Sequence, residues 1–186
     1  MNLSSVNELI LRGNQCLQKG KFFNALKYLK KAEKIDPQNA IIANNTGTAL
    51  YQLGEISKAQ RAFKKAIKLE PTYVDPLYNL GLLLKEIGEI EEALCAFRRT
   101  IAVDPTHVLS HYEIGAILVW REDSLEAVKN FQTALSLRPD FYEAWVGAGI
   151  AYKQVGEIVL AEESFRKAIL INPEKADAYF LQASIL

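Results

Sequence analysis

The sequence predicts an all-α solenoid built from 34-residue helix pairs, and four columns of residues carry that prediction. Pro37, Pro71, Pro105, Pro139 and Pro173 lie 34 residues apart, and Gly13, Gly47, Gly81, Gly115 and Gly149 keep the same step. Ala25, Ala59, Ala93, Ala127 and Ala161 form a third column. A fourth, of Phe63, Phe97, Phe131 and Phe165, begins with Leu29. Independent columns in one register mark a repeat architecture, in which one unit cannot bury its apolar face alone and neighbours stack. The units run 6–39, 40–73, 74–107, 108–141 and 142–175, with 176–186 beginning a sixth, so that 1–186 reads as a single solenoid.

Each unit reads as two helices. Ser5 and Glu8 supply an S-x-x-E capping box for the first of them. In the second unit, residues 40–53 carry Ala43, Gly47 and Leu50 on one stripe at helical spacing. Gly54 then marks a stop and turn, in a column with Gly20, Gly88 and Gly156 that is broken only at Glu122. The following segment places Ile56, Ala59, Phe63, Ala66 and Ile67 on one face before Pro71 ends it. Gly47 and Ala59 lack bulk, so two backbones can approach closely while Phe63 fills the space beside them.

At these positions the chain resembles the tetratricopeptide repeat family, whose pattern is W-x2-L-G-x2-Y, then A-x3-F, then P. The fifth unit matches best, with Trp145, Ala148, Gly149 and Tyr152 followed by Ala161, Phe165 and Pro173. Cys16, Leu50, Leu84 and Leu118 replace the tyrosine in the other units, and Thr100 replaces a small alanine. The resemblance implies a right-handed superhelix of antiparallel helix pairs, with a concave groove lined by the first helix of each unit.

Composition and motifs narrow the chemistry. At 49% hydrophobic and 24% charged the chain has the make-up of a folded globular protein rather than a disordered one. No apolar run approaches a membrane span, no signal peptide is read at the start, and the two cysteines suit a reducing cytoplasm. Neither G-x-x-x-x-G-K nor G-x-S-x-G occurs. His107 and His111 are spaced for one helix face, but His111 shares the packing column of Leu9, Ala43, Leu77 and Trp145, so packing is expected rather than metal. Cys16 falls on an apolar column, and Glu91 and Glu92 sit in a first helical turn where they favour the dipole. The expectation is a chain with no catalytic site, no metal and no cofactor.

The positions opposite the packing stripe are the expected ligand-facing ones. They include Asn7, Ile10, Leu11 and Asn14 in the first unit, then Ile41, Asn44, Asn45 and Thr48. Asp75, Tyr78, Asn79 and Leu82 follow, then Leu109, Tyr112, Glu113, Ala116 and Trp120, then Glu143, Val146, Gly147 and Ile150. The family's carboxylate clamp for chaperone tails does not carry over, because Ile10, Asp75 and Asn79 stand where it needs cations. Asn45 and Asn79 resemble two rungs of the amide ladder that grips peptide backbones in O-linked N-acetylglucosamine transferase, while Leu11, Glu113 and Gly147 do not continue it. Tyr78, Leu82, Tyr112, Trp120 and Ile150 make the later part of the surface apolar, as at an interface, with Trp120 as the expected anchor.

Residues 6–73 carry 12 basic and 5 acidic residues, whereas 74–186 carry 10 basic and 17 acidic. Two stripes, Lys27, Lys30, Lys31 and Lys34, then Arg61, Lys64, Lys65 and Lys68, hold much of the positive charge. Without interleaved aromatics they read as solvated faces rather than as a specific nucleic-acid site. The expected function is therefore a non-catalytic scaffold binding a peptide or partner helix in the concave groove. The alternatives are a substrate-recruiting or regulatory arm of a larger enzyme, which the ending of the chain inside an apolar helix favours, and an anion-binding convex surface. Phe180, Leu181 and Ile185, lacking a covering second helix, are expected to support self-association.

Overall fold

The computed structural model describes residues 3–184, with side chains from residue 5 onward. Its described residues form eleven α-helices and no strand. Two compact units, Met1–Arg99 and Thr100–Leu186, divide the chain.

The first unit contains α1 (Leu3–Gln18), α2 (Phe22–Ile35), α3 (Ala40–Gln52), α4 (Ile56–Leu69), α5 (Val74–Glu86) and most of α6 (Ile90–Val103). From α1 to α5 consecutive helices pack in turn, α3 also touches α1 and α5, and Tyr78 and Gly81 of α5 meet Phe97 of α6. The second unit holds the end of α6, then α7 (Val108–Trp120), α8 (Ser124–Leu137), α9 (Tyr142–Gln154), α10 (Ile158–Ile171) and α11 (Ala176–Ala183). Here α7 and α9 pack on each other and on α8, α10 joins α9, and α11 closes on α10. Each unit is thus an all-α stack of helix pairs, as the columns predict.

The columns have direct physical meanings. Phe63, Phe97, Phe131 and Phe165 are fully buried, and Ala25, Ala59, Ala127 and Ala161 have no exposed surface. Gly47 lies so close to Phe63 that a Cβ there would stand 2.6 Å from the ring, and the Gly149–Phe165 pair repeats this at 2.5 Å. Truncating one such ring to Ala costs about 3–5 kcal/mol. The first helix of each pair stops at a Schellman cap: the Gly54 amide bonds to the Tyr51 carbonyl and the Glu55 amide to the Leu50 carbonyl, both at 2.9 Å. That cap needs a left-handed residue, and Gly54 has φ of 74°. Where the column is broken, Glu122 adopts the same conformation at φ of 62°, and Asp123 and Glu122 keep both cap hydrogen bonds. At the start of α3 the Asn39 side chain accepts from the Ile41 and Ile42 amides.

Two expectations change. The helix expected to start at the Ser5–Glu8 box already includes Leu3, so Ser5 lies within α1 and is not its cap. In α11 the residue packed against the preceding helices is Ala178, fully buried in a cluster with Tyr142 and Ala168. The 34-residue spacing puts Tyr179, Ala183 and Leu186 on columns expected to pack against the fifth repeat, yet Tyr179 and Ala183 are exposed. Their columns, those of Trp145 and Gly149, face a second helix of the same pair, and none follows α11 among the described residues. Ile185 and Leu186 lie outside the described residues.

Candidate functional site

In the second unit the first helices α7, α9 and α11 share one face, and a cavity of about 310 Å³ opens on it. Tyr112, Ala116 and Val119 enter from α7, while α9 supplies Tyr142, Glu143, Val146, Gly147 and Ile150. Phe131 of α8 forms the floor, and Lys175 and Asp177, at the start of α11, form one edge. The floor is reached because Gly147 has no side chain: a Cβ there would stand 2.4 Å from the Phe131 ring. Tyr112 packs against both Phe131 and Phe141, with ring centroids 6.1 and 4.9 Å away. The recess is mainly apolar, and its size lies at the lower end of the range for ligand pockets.

The polar edge is internally organised. Lys175 Nζ meets Glu143 Oε1 at 2.7 Å and lies 4.2 Å from the centre of the Tyr142 ring, a cation–π contact. The Tyr142 hydroxyl donates to Asp177. Burial, and then that hydrogen bond, push the Tyr142 hydroxyl up to about 12. The hydrogen bond from Lys175 holds the Glu143 carboxyl below its ordinary value, and burial raises Tyr112. The edge therefore presents paired charges beside an apolar recess, an arrangement suited to seating an apolar side chain while polar groups border the adjoining backbone.

Of the residues expected to face a ligand, Tyr112, Ala116, Glu143, Val146, Gly147 and Ile150 meet in this cavity. Trp120, at the end of α7, is 76% exposed and does not line it. Tyr78 and Leu82, on α5 of the first unit, are half-buried, and Tyr78 packs on Phe97 with centroids 5.8 Å apart. Glu113, expected on the ligand-facing surface, is instead buried.

The amides of the first unit engage one another. Asn45 Nδ2 donates to Asn14 Oδ1 at 2.6 Å, Asn44 Nδ2 to Asn45 Oδ1 at 3.3 Å, and Asn79 Nδ2 to Asn44 Oδ1 at 3.1 Å. One chain of side-chain amides thus crosses α1, α3 and α5. Asn44, expected to face a ligand, is the 4% exposed centre of that chain, where it also reaches the Tyr73 hydroxyl.

The histidines have structural partners. His111 Nε2 lies 2.9 Å from the Pro105 carbonyl, and His107 caps α7 by accepting from the Ser110 amide. No group of three metal-ligating side chains occurs among the described residues. Phe131, Tyr142, Lys175 and Asp177 were not among the expected site residues. One sequence signal does point to Tyr142, an outsized ring in a column otherwise made of Val6, Ala40, Val74, Val108 and Ala176.

Comparison with known proteins agrees with this architecture. A TPR repeat family model matches residues 13–54 and 47–88, and two tetratricopeptide repeat models match residues 112–174 and 74–107. A crystal structure of MamA protein is 26% identical over 93% of this chain and 94% of its own, with a TM-score of 0.77. YrrB, described as a TPR protein with an unusual peptide-binding site, is 23% identical over 96% of this chain and 91% of its own, with a TM-score of 0.78. The pilF protein of Pseudomonas aeruginosa is 20% identical over 98% and 83%, with a TM-score of 0.88. The last two are likenesses of fold. A search of curated protein sequences gives no match.

Proposed function

Because this chain belongs to the tetratricopeptide repeat family, we propose that it is a non-catalytic interaction scaffold that holds a peptide or partner helix along the face of its first helices. The observation that carries this reading is the cavity over Phe131, where Tyr112, Val146 and Ile150 surround a recess of about 310 Å³. An apolar side chain seated there would lie beside the Lys175–Glu143 and Tyr142–Asp177 pairs, which border the ligand's backbone. Trp120 extends the binding surface from the end of α7. In the first unit Tyr78, Leu82 and the chain of Asn14, Asn45 and Asn79 form a binding surface of their own. The peptide-binding site described for YrrB, a protein of the same fold, accords with this reading. The free cysteines Cys16 and Cys95 accord with a cytoplasmic setting, and no helix among the described residues is long and apolar enough to cross a membrane.

The test is selection of peptides from a displayed random library against the full chain, followed by calorimetry of the selected peptides. Tyr112→Ala and Ile150→Ala are each expected to weaken the selected peptides by roughly tenfold or more, the behaviour of a central apolar contact. Selected peptides that bind both variants as tightly as the native chain would remove this site from the account.

A further inference from the structure

A second recess, in the first unit, lies away from the amide chain. It has a volume of about 610 Å³ and is lined by Phe23, Leu26, Lys27 and Lys30 of α2 and by Thr46, Leu50 and Leu53 of α3 and its cap. Glu55 and Lys58, at the start of α4, complete it. Phe23 is 78% exposed at its margin, an unusual position for a phenyl ring. At its lining the Thr46 hydroxyl is removed from solvent and has no hydrogen-bond partner. Lys27, Lys30 and Lys58 are exposed around it, and only Lys58 is paired at this rim, with Glu55 at 2.9 Å. Residues 22–69 hold nine basic and three acidic side chains, so the field over the recess is positive.

The repeat supplies an internal comparison. Three repeats later Gln132 and Tyr152 occupy the positions of Lys30 and Leu50, and Ala148 that of Thr46. There the Gln132 amide donates to the Tyr152 hydroxyl at 2.7 Å, bridging the two helices. In the first unit the bridge is replaced by a lysine, a shorter apolar side chain and an unpartnered hydroxyl.

We propose that this recess binds an acidic peptide segment carrying an apolar anchor residue, independently of the cavity in the second unit. The anchor packs between Phe23, Leu50 and Leu53. Flanking carboxylates meet Lys27 and Lys30. Entry of the anchor parts the side chains over the Thr46 hydroxyl, and a backbone group of the peptide then supplies the partner that this hydroxyl lacks. This last feature favours a peptide over an anionic lipid, because an acyl chain seated between the leucines brings no hydrogen-bonding group to that depth.

The test uses the full chain and a short fluorescent peptide of Glu and Asp residues around a central Leu-Phe pair. A control peptide carries Ser-Ser at the centre, and phosphatidylglycerol vesicles serve as competitor. The Leu-Phe peptide is expected to bind, and to be weakened roughly tenfold by the pair Lys27→Glu and Lys30→Glu. A similar loss is expected for the triple variant Lys30→Gln, Thr46→Ala and Leu50→Tyr, which installs the side chains found between α8 and α9. Tyr112→Ala is expected to leave this binding unchanged, so the outcome is separate from that of the second-unit cavity. Equal binding of the Leu-Phe and Ser-Ser peptides would overturn the proposal, as would vesicle binding with no displacement of or by the peptide. Absence of binding, or unchanged affinity in the lysine pair, which alters only exposed side chains, would overturn it as well.

Discussion

Gly147 rests on the ring of Phe131 so closely that a Cβ would stand 2.4 Å from Cζ and 2.6 Å from Cε1. Phe131 is itself 1% exposed and has no room to retreat. The absence of one side chain on α9 therefore opens the cavity and keeps its aromatic floor within reach. Gly147→Ala is expected to destabilise the second unit by about 1–3 kcal/mol, the cost of overpacking exceeding Ala's advantage over Gly in a helix. The two tryptophans, Trp120 and Trp145, both lie in this unit. Urea denaturation followed by their fluorescence reads the effect, and an unchanged midpoint would show that the ring can yield.

Glu122 makes the opposite adjustment. It holds the left-handed conformation that Gly20, Gly54, Gly88 and Gly156 supply at the equivalent caps. A left-handed residue with a side chain costs about 1–2 kcal/mol, and glycine's greater freedom in the unfolded chain returns roughly half of that. Glu122→Gly is expected to stabilise the second unit by up to about 1 kcal/mol. The same fluorescence-detected denaturation checks it, and a lower midpoint would contradict the strain assigned to this cap.

The Tyr142–Asp177 contact predicts a dependence on alkaline pH. Tyr142 is pushed up to about 12 by burial and by the hydrogen bond to Asp177, against about 10 for an unfolded tyrosine. The folded state thus holds this proton more tightly. The associated stability is complete below pH about 10 and is lost as pH rises toward about 12. Tyr142→Phe is expected to reduce the slope of stability against pH in that window while leaving it unchanged near neutrality. An identical slope in the native chain and the variant would locate the alkaline sensitivity elsewhere.

Phe180 is 76% exposed on α11, beside the partly exposed Leu181. Large apolar side chains exposed to this degree on one helix mark a contact surface. The acidic 74–186 segment and the basic 6–73 segment could attract each other between copies. Concentration-dependent self-association is expected, reduced by Phe180→Ser combined with Leu181→Ser. Sedimentation velocity over a wide concentration range reads it, and a native chain that stays monomeric would refute it.

The fold was legible where one residue type does one job at every turn of the repeat. Phe63 fills the space that Gly47 leaves, and each later pair repeats the contact, so the period alone reveals it. The amides were less legible because their partners are other amides. Asn14, Asn44, Asn45 and Asn79 join through side-chain geometry on three different helices, and nothing in their spacing distinguishes that from open ligand-binding positions. Tyr112 and Ile150 were placed on the binding face by helical spacing. Lys175 and Asp177 escaped because they come from the turn that closes the fifth repeat and the helix that begins the sixth, a boundary across which a single-repeat pattern does not reach. Glu122 kept its cap because the turn's hydrogen bonds hold a non-glycine residue in a conformation that sequence alone disfavours.

The most direct test of the central claim is a methyl-labelled NMR titration of the full chain with a selected peptide. Ile150 and Val146 methyl groups line the cavity and report its occupancy without mutation. Both are expected to shift in saturable fashion and to show nuclear Overhauser contacts to an apolar side chain of the peptide. Shifts confined to residues of α8 and α10 remote from the cavity, with Ile150 and Val146 unmoved at saturation, would contradict it.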